Sequence, residues 1–235
     1  MVVKTLSDSK TGTTPDASAA STTQLPLELP AFAPRYERDS FIVSHSNEAA
    51  WGAAQKWRSA QDPLLIVCGP KGSGKTHLAN ILAMDDGIFC DASSFIVGES
   101  NHPLFLFDDL PAAEPKPFLG LIDELIDRGK RVVLIGAGHP GMWAGGFEDL
   151  RTRIESAPRA TMGEPDEALI QAVIAKGFKD RQLEVNRSVI AYAAPRLPRT
   201  FAAAHAFVAR ADELALNAKR GITVSLAQKL VDTIS

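Results

Sequence analysis

The chain has 235 residues, 45% of them hydrophobic and 23% charged, with a formal net charge of −3. That length builds one large or two modest domains with a real core, and the balance excludes a wholly disordered chain and a broadly basic nucleic-acid footprint. No run of about 18 apolar residues occurs, and the start "MVVKTLSDSK" lacks an apolar stretch before a small-residue cleavage site, so the reading is a cytoplasmic protein with no membrane attachment.

Residues 1–23 are rich in Ser, Thr, Ala and Asp, with almost no large apolar side chains. They cannot bury enough surface to offset the entropy of ordering and read as a disordered leader. The stretch "TQLPLELP" follows, where Pro26 and Pro30 push the preceding residues into extended conformations and so place Leu25, Leu27 and Leu29 on one face. Such a ribbon is either a strap on the chain's own first domain or a peptide offered to a partner's groove. Phe41, Ile42 and Val43 form a short apolar run, after which Ser46 or Asn47 can cap a helix bearing Trp51 and Trp57, both read as core.

"PLLIVCGPKGSGKTHLANILAM" reads as strand, glycine-rich turn and helix, the last marked by the spacing of His77, Leu78, Ile81 and Leu82. "GIFCDAS" and "PLFLFDDLP" read as buried strands, "KPFLGLIDELIDRGK" as an amphipathic helix and "RVVLIGAG" as another strand. Alternating strands and helices predict an α/β domain with a parallel sheet covered on both faces. After Pro158 four segments show helical periodicity without strand-like alternation, which predicts a small all-α domain. Cys68 and Cys90 are too few for a disulfide framework or a thiolate metal site and read as small buried side chains.

"GPKGSGKT", Gly69, Pro70, Lys71, Gly72, Ser73, Gly74, Lys75 and Thr76, fits G-x-x-x-x-G-K-[ST] between a buried strand and a helix. Backbone N–H groups of the loop and the helix N-terminus cradle phosphate oxygens, Lys75 reaches the β- and γ-phosphates, and the Thr76 hydroxyl ligates Mg²⁺. "LFLFDDL" supplies the acidic element: Asp108 to hold Mg²⁺ and Asp109 to orient an attacking water. In "FEDLRTRIESAPR", Arg151 and Arg153 either pair with local acids on a solvated turn or include an arginine finger for a neighbour's nucleotide. His77 faces the helix surface or a ribose, the five histidines show no metal-ligand spacing, and Trp143 in its glycine-rich loop is either packing or a contact residue.

A P-loop sheet domain, an "FDD" motif, an "LRTR" box and a helical lid follow the AAA+ order, and the wording "FIVSHSNEAA" and "RTRIES" resembles the DnaA-related AAA+ family, in particular its shorter Hda-type regulatory inactivators of the replication initiator DnaA. The resemblance runs from about Gln24 to the end. It implies a leader over 1–23, a clamp-binding peptide over 24–30, an AAA+ nucleotide-binding domain over 31–160 and a lid over 161–235. It implies that Gln24, Leu25, Leu27 and Leu29 dock on the bacterial sliding clamp, and that Arg153, or else Arg151, completes the active site of DnaA in trans. Phe41, Ile42 and Val43 would border the adenine of ADP or ATP, although a core strand accounts for them equally well.

The chain departs from the family at the end of the fourth core strand, where Gly136-Ala137-Gly138 stands in place of a polar residue. It departs again in the lid, where Ala202 falls at the usual arginine and Arg199 lies three residues earlier. Weak ATPase activity of its own and retention of ADP are therefore expected. No basic recognition helix follows the lid, so direct sequence-specific DNA binding is not expected, while head-to-tail contacts allow a homo-oligomer. The alternative is an autonomous P-loop ATPase serving as helper or loader for another DNA-processing protein.

Overall fold

The computed structural model of the chain describes residues 41–84, 86–95, 98, 101–110, 114–218 and 221–234. The leader and the peptide residues Gln24, Leu25, Leu27 and Leu29 lie outside them. Helix α1 (Glu48–Ser59) is followed by β1 (Leu64–Gly69), α2 (Lys75–Ala83), β2 (Gly87–Cys90), β3 (Leu104–Leu110), α3 (Pro115–Asp127), β4 (Arg131–Ala137), α4 (Glu148–Ser156) and β5 (Arg159–Thr161). The strands form one five-stranded sheet in the order β2-β3-β4-β1-β5, and every pair is parallel.

A strand buried on both faces has no polar side to show, which is why the central strands are continuous apolar runs. Leu64, Ile66 and Cys68 of β1 join Phe105 and Phe107 of β3 and Val132 and Leu134 of β4 under α3 and α4. Their alternates Leu65, Val67, Leu104, Leu106, Val133 and Ile135 pack on the other face against Ala50, Ala54 and Trp57 of α1 and Leu78 and Leu82 of α2. The period-two alternation thus divides each strand between two cores. Beyond the sheet, α5 (Glu167–Asp180), α6 (Arg187–Ala193), α7 (Phe201–Ala218) and α8 (Val224–Ile234) enclose a third core around Ile170, Phe178, Phe207 and Leu230.

Four local expectations change. Phe41–Val43 is neither strand nor helix: Phe41 stacks on Trp51 at 4.8 Å, Ile42 packs against the helical core and Val43 is exposed. The "LRTR" box is a helix, α4, rather than a solvated turn, because Leu150 and Ile154 recur at helical spacing and bury under the sheet. Strand β5 has three residues of which only Ala160 is buried, too short for a sequence pattern, and its pairing with β1 creates it. Cys68 is buried as expected, but Cys90 is only half-buried on the edge strand β2.

Phe207 is fully buried and meets Phe178 edge-on at 6.1 Å. Phe207→Ala is expected to cost about 3–5 kcal/mol in urea unfolding; a loss below about 1 kcal/mol would mean the helical core does not depend on that ring.

Candidate nucleotide-binding site

The site begins where β1 ends. Gly69 leaves the strand at φ +148°, and a Cβ there would lie 2.4 Å from the Met162 carbonyl, so the backbone turns away against the segment after β5 with no room for a side chain. The loop closes on itself through Ser73 N–H to the Pro70 carbonyl (3.3 Å) and Lys75 Nζ to the same carbonyl (2.8 Å). Gly74, at φ +91°, starts α2 with no side-chain cap. The first-turn N–H groups of α2 are therefore left for an external acceptor. Ser73 is 1% exposed, and its hydroxyl has no hydrogen-bond partner. An orphaned buried hydroxyl beside an uncapped helix start suits an anion, and a phosphate group fits that donor set.

Burial lowers the Lys75 pKa from its ordinary value, opposed by the carboxylates of Asp108 and Asp109. Asp108 is aimed by an irregularity in the sheet. Phe107 pairs with Leu134 but Leu110 pairs with Gly136, so β3 carries one residue more than β4 across this interval. The bulge is Asp108-Asp109, with Asp109 at φ +66° and exposed. Asp108 accepts from the Thr76 hydroxyl (Oδ2, 2.8 Å) and from the Asp109 N–H (Oδ1, 2.8 Å). The two predicted Mg²⁺ ligands are thus brought together. Two protein oxygens, the Thr76 hydroxyl and an Asp108 carboxylate oxygen, suit a cation that fills its remaining positions with phosphate oxygens and water.

The end of β4 explains its glycine. A Cβ at Gly136 would lie 2.6 Å from the Leu110 carbonyl and 2.7 Å from the Trp143 ring. Trp143 is buried and donates its indole N–H to the Ala137 carbonyl at 2.8 Å, so it is packing rather than a contact residue. The lid reaches the loop through the start of α7: Thr200 lies against Gly72, and Phe201 against Gly74, where a Cβ would be 2.9 Å from the ring. Ala202 and Arg199 are exposed. The contacts by Thr200, Phe201 and Trp143 had no sequence signal, because each depends on which glycine faces it.

Arg153 reaches Asp123 of α3 at 3.3 Å, and Arg151 reaches Glu148 at 2.6 Å. Arg153 is thus held across to α3 and Arg151 within α4, and the acids that hold them are not part of the phosphate loop. Both arginines remain half-exposed.

His77, one residue past Thr76, meets the edge of Phe41 at 5.7 Å. Burial, then the positive charges of His205 and Lys176, lower its pKa to about 4. An unfolded histidine titrates near 6.5. Between about pH 6.5 and 4 the unfolded chain therefore binds a proton that the folded chain does not, and stability falls as pH falls through that window. His77→Gln is expected to lose less stability than the wild type between pH 7 and 5 in urea titrations; parallel losses would show that His77 is not titrating out of its normal range.

No protein-family model matches the chain. It is 28% identical over 197 residues to the chromosomal replication initiator protein DnaA of Sphingopyxis alaskensis, covering 70% of this chain and 44% of that protein. It is 27% identical over 233 residues to DnaA of Campylobacter curvus, covering 80% and 53%. The chain spans about half the length of these curated relatives. Domain III of the Thermotoga maritima replication initiation protein DnaA superposes with a TM-score of 0.72 at 17% identity, covering 86% of this chain and 98% of that one. The Thermotoga maritima RuvB Holliday junction branch migration motor gives 0.65 at 16% identity over 85% and 72%, and AMPPCP-bound DnaA from Aquifex aeolicus gives 0.60 at 20% over 77% and 66%. The fold is that of the AAA+ domains of DnaA and RuvB, and the sequence similarity to DnaA agrees with a DnaA-related AAA+ protein. Among the described residues no helix is long and apolar enough to cross a membrane.

Proposed function

We propose that this chain is an adenine-nucleotide-binding regulator of replication initiation that docks on the sliding clamp and presents Arg153 in trans to ATP held by DnaA. The observation that carries the nucleotide reading is the set of donors without acceptors at the phosphate loop, the uncapped start of α2 and the buried Ser73 hydroxyl, with Lys75 between them. Similarity to DnaA supports the replication context. In this reading the loop amides and Lys75 hold the phosphates of ADP or ATP, and Thr76 and Asp108 hold Mg²⁺, which supplies neutralising charge when bound.

Glycines at the end of β4 and Ala202 in the lid offer no side chain to a γ-phosphate, which supports weak turnover by the chain itself. Its nucleotide then serves to hold sheet and lid at one angle. Arg153 can act on a neighbour at small cost: a half-exposed ion pair like that with Asp123 is worth about 0.2–1 kcal/mol, whereas an arginine finger adds roughly 10³–10⁵ in rate. Clamp docking rests on the sequence, with Gln24 as polar anchor and Leu25, Leu27 and Leu29 as apolar contacts. The autonomous-ATPase reading is favoured by one observation, the exposed Asp109 next to the Thr76–Asp108 pair.

ADP titration is expected to give binding that Lys75→Ala weakens by at least about tenfold. With DNA-loaded clamp and ATP-bound DnaA, the wild type should accelerate hydrolysis, and Arg153→Ala and the double variant Gln24→Ala/Leu25→Ala should each fail while still binding ADP. If the wild type binds clamp and ADP but leaves DnaA-bound ATP intact, the trans role is wrong. Substantial hydrolysis by the chain alone, abolished by Lys75→Ala, would select the autonomous ATPase.

A further inference from the structure

The segment before α1 is tied to the base of the lid by a hydrogen-bond knot that phosphate binding does not require. Asp166 is the N-cap of α5 and accepts the Leu169 N–H through Oδ1 at 2.7 Å. Its other oxygen, Oδ2, accepts the Ser46 N–H at 3.2 Å, across 120 positions of sequence. The Asp166 N–H returns a bond to the Ser46 hydroxyl (3.4 Å), which in turn bonds the Ser44 hydroxyl (2.8 Å). A backbone bond runs beside these, from Gly163 N–H to the Ser46 carbonyl at 3.0 Å, and a Cβ on Gly163 would lie 2.7 Å from that carbonyl.

Asn47 carries the tie onward. It is 2% exposed, and instead of capping α1 its side chain accepts the Ser44 N–H (2.8 Å) and donates to the Ile42 carbonyl (2.9 Å). The turn is thereby held rigid back to Ile42, whose side chain packs on the lid core, and to Phe41, stacked on Trp51 and edge-on to His77. Burial would raise the Asp166 carboxyl, but the bonds from Leu169, Ser44 and Ser46 outweigh it and hold the pKa below the ordinary aspartate value. The carboxylate is therefore ionised throughout the neutral range, and the knot is charge-assisted there.

We propose that Asp166 is a positioning residue that couples the lid to the Phe41–Val43 segment, which stands against His77 at the start of α2 and is proposed here to border the base, so that this wall is set only when the base of α5 is seated against Ser46. The inference rests on the nucleotide-binding reading above. A rigid connection of this kind makes base recognition depend on lid position, while the phosphate loop, built on β1 and α2, keeps its own donors.

Asp166→Asn separates capping from coupling. Asparagine caps a helix as well as aspartate, so with Oδ1 on Leu169 α5 keeps its cap, but the NH2 that replaces Oδ2 is a donor and cannot accept the Ser46 N–H. Gly163→Ala attacks the same tie from the opposite side by pushing on the Ser46 carbonyl. Without ligand, hydrogen exchange in both variants should be about tenfold faster at the Ser46 amide and through 42–47, with Leu169 still protected in Asp166→Asn. With ligand, both should bind ADP about tenfold more weakly, with a smaller preference for ADP over GDP and unchanged affinity for inorganic pyrophosphate. Unchanged exchange at Ser46, or equal weakening of ADP and pyrophosphate, would overturn the coupling. If the wild type binds pyrophosphate and ADP alike, the base-side wall is not a base site and the inference falls; if it binds neither, the nucleotide reading itself has failed.

Discussion

Helix α2 starts on a glycine with no side-chain cap, and the one buried hydroxyl beside it has no partner. A buried donor without an acceptor is costly, and an anion seated on the loop would satisfy this one together with the helix start. Much of the described architecture serves that arrangement. Strand β1, paired on both sides by β4 and β5, delivers the loop from inside a sheet packed on both faces, so its exit point cannot drift. The start of α7 closes over the loop where Gly72 and Gly74 have no Cβ to keep Thr200 and Phe201 away.

The acidic half of the site is positioned by a flaw in regularity rather than by regularity itself. One extra residue in β3 turns Asp108 toward Thr76 and leaves Asp109 facing solvent in a left-handed conformation that aspartate tolerates better than most residues. The neighbouring strand end follows the opposite logic. Trp143 fills the space over Gly136, so packing leaves no room for a side chain there. At the end of β4 only Gly136, Ala137 and Gly138 stand near the loop, while Thr76 and Asp108 are brought together on the other side of it.

The central strands and most helices were legible because burial on both faces leaves a continuous apolar run and burial on one face leaves a 3.6-residue period. The phosphate loop was legible because its spacing is imposed by backbone geometry over eight consecutive residues. Strand β5 was not, since three residues with one buried alanine carry no period. Helix α4 has only two buried positions, Leu150 and Ile154, among seven arginines, acids and small polar residues, so its pattern does not separate a helix from a solvated turn. The Phe41–Val43 run misled in the other direction: apolar residues so close together suggest a strand, yet Asn47 bonds back to Ile42 and Ser44 and holds them as a fixed coil.

What the amino-acid order determined by itself was therefore local: a parallel sheet domain followed by a helical region, and a glycine-rich loop followed by an acidic strand end. What only the tertiary structure decided was every relation between distant segments: which glycine meets Thr200, Phe201 or Trp143, that Arg153 rests on Asp123, and that Asp166 holds Ser46. The reason is physical. Periodicity and spacing report interactions within a few residues, whereas these contacts join chain segments brought together by the packing of separate cores, and a single hydrogen bond across 120 positions leaves no pattern in either segment.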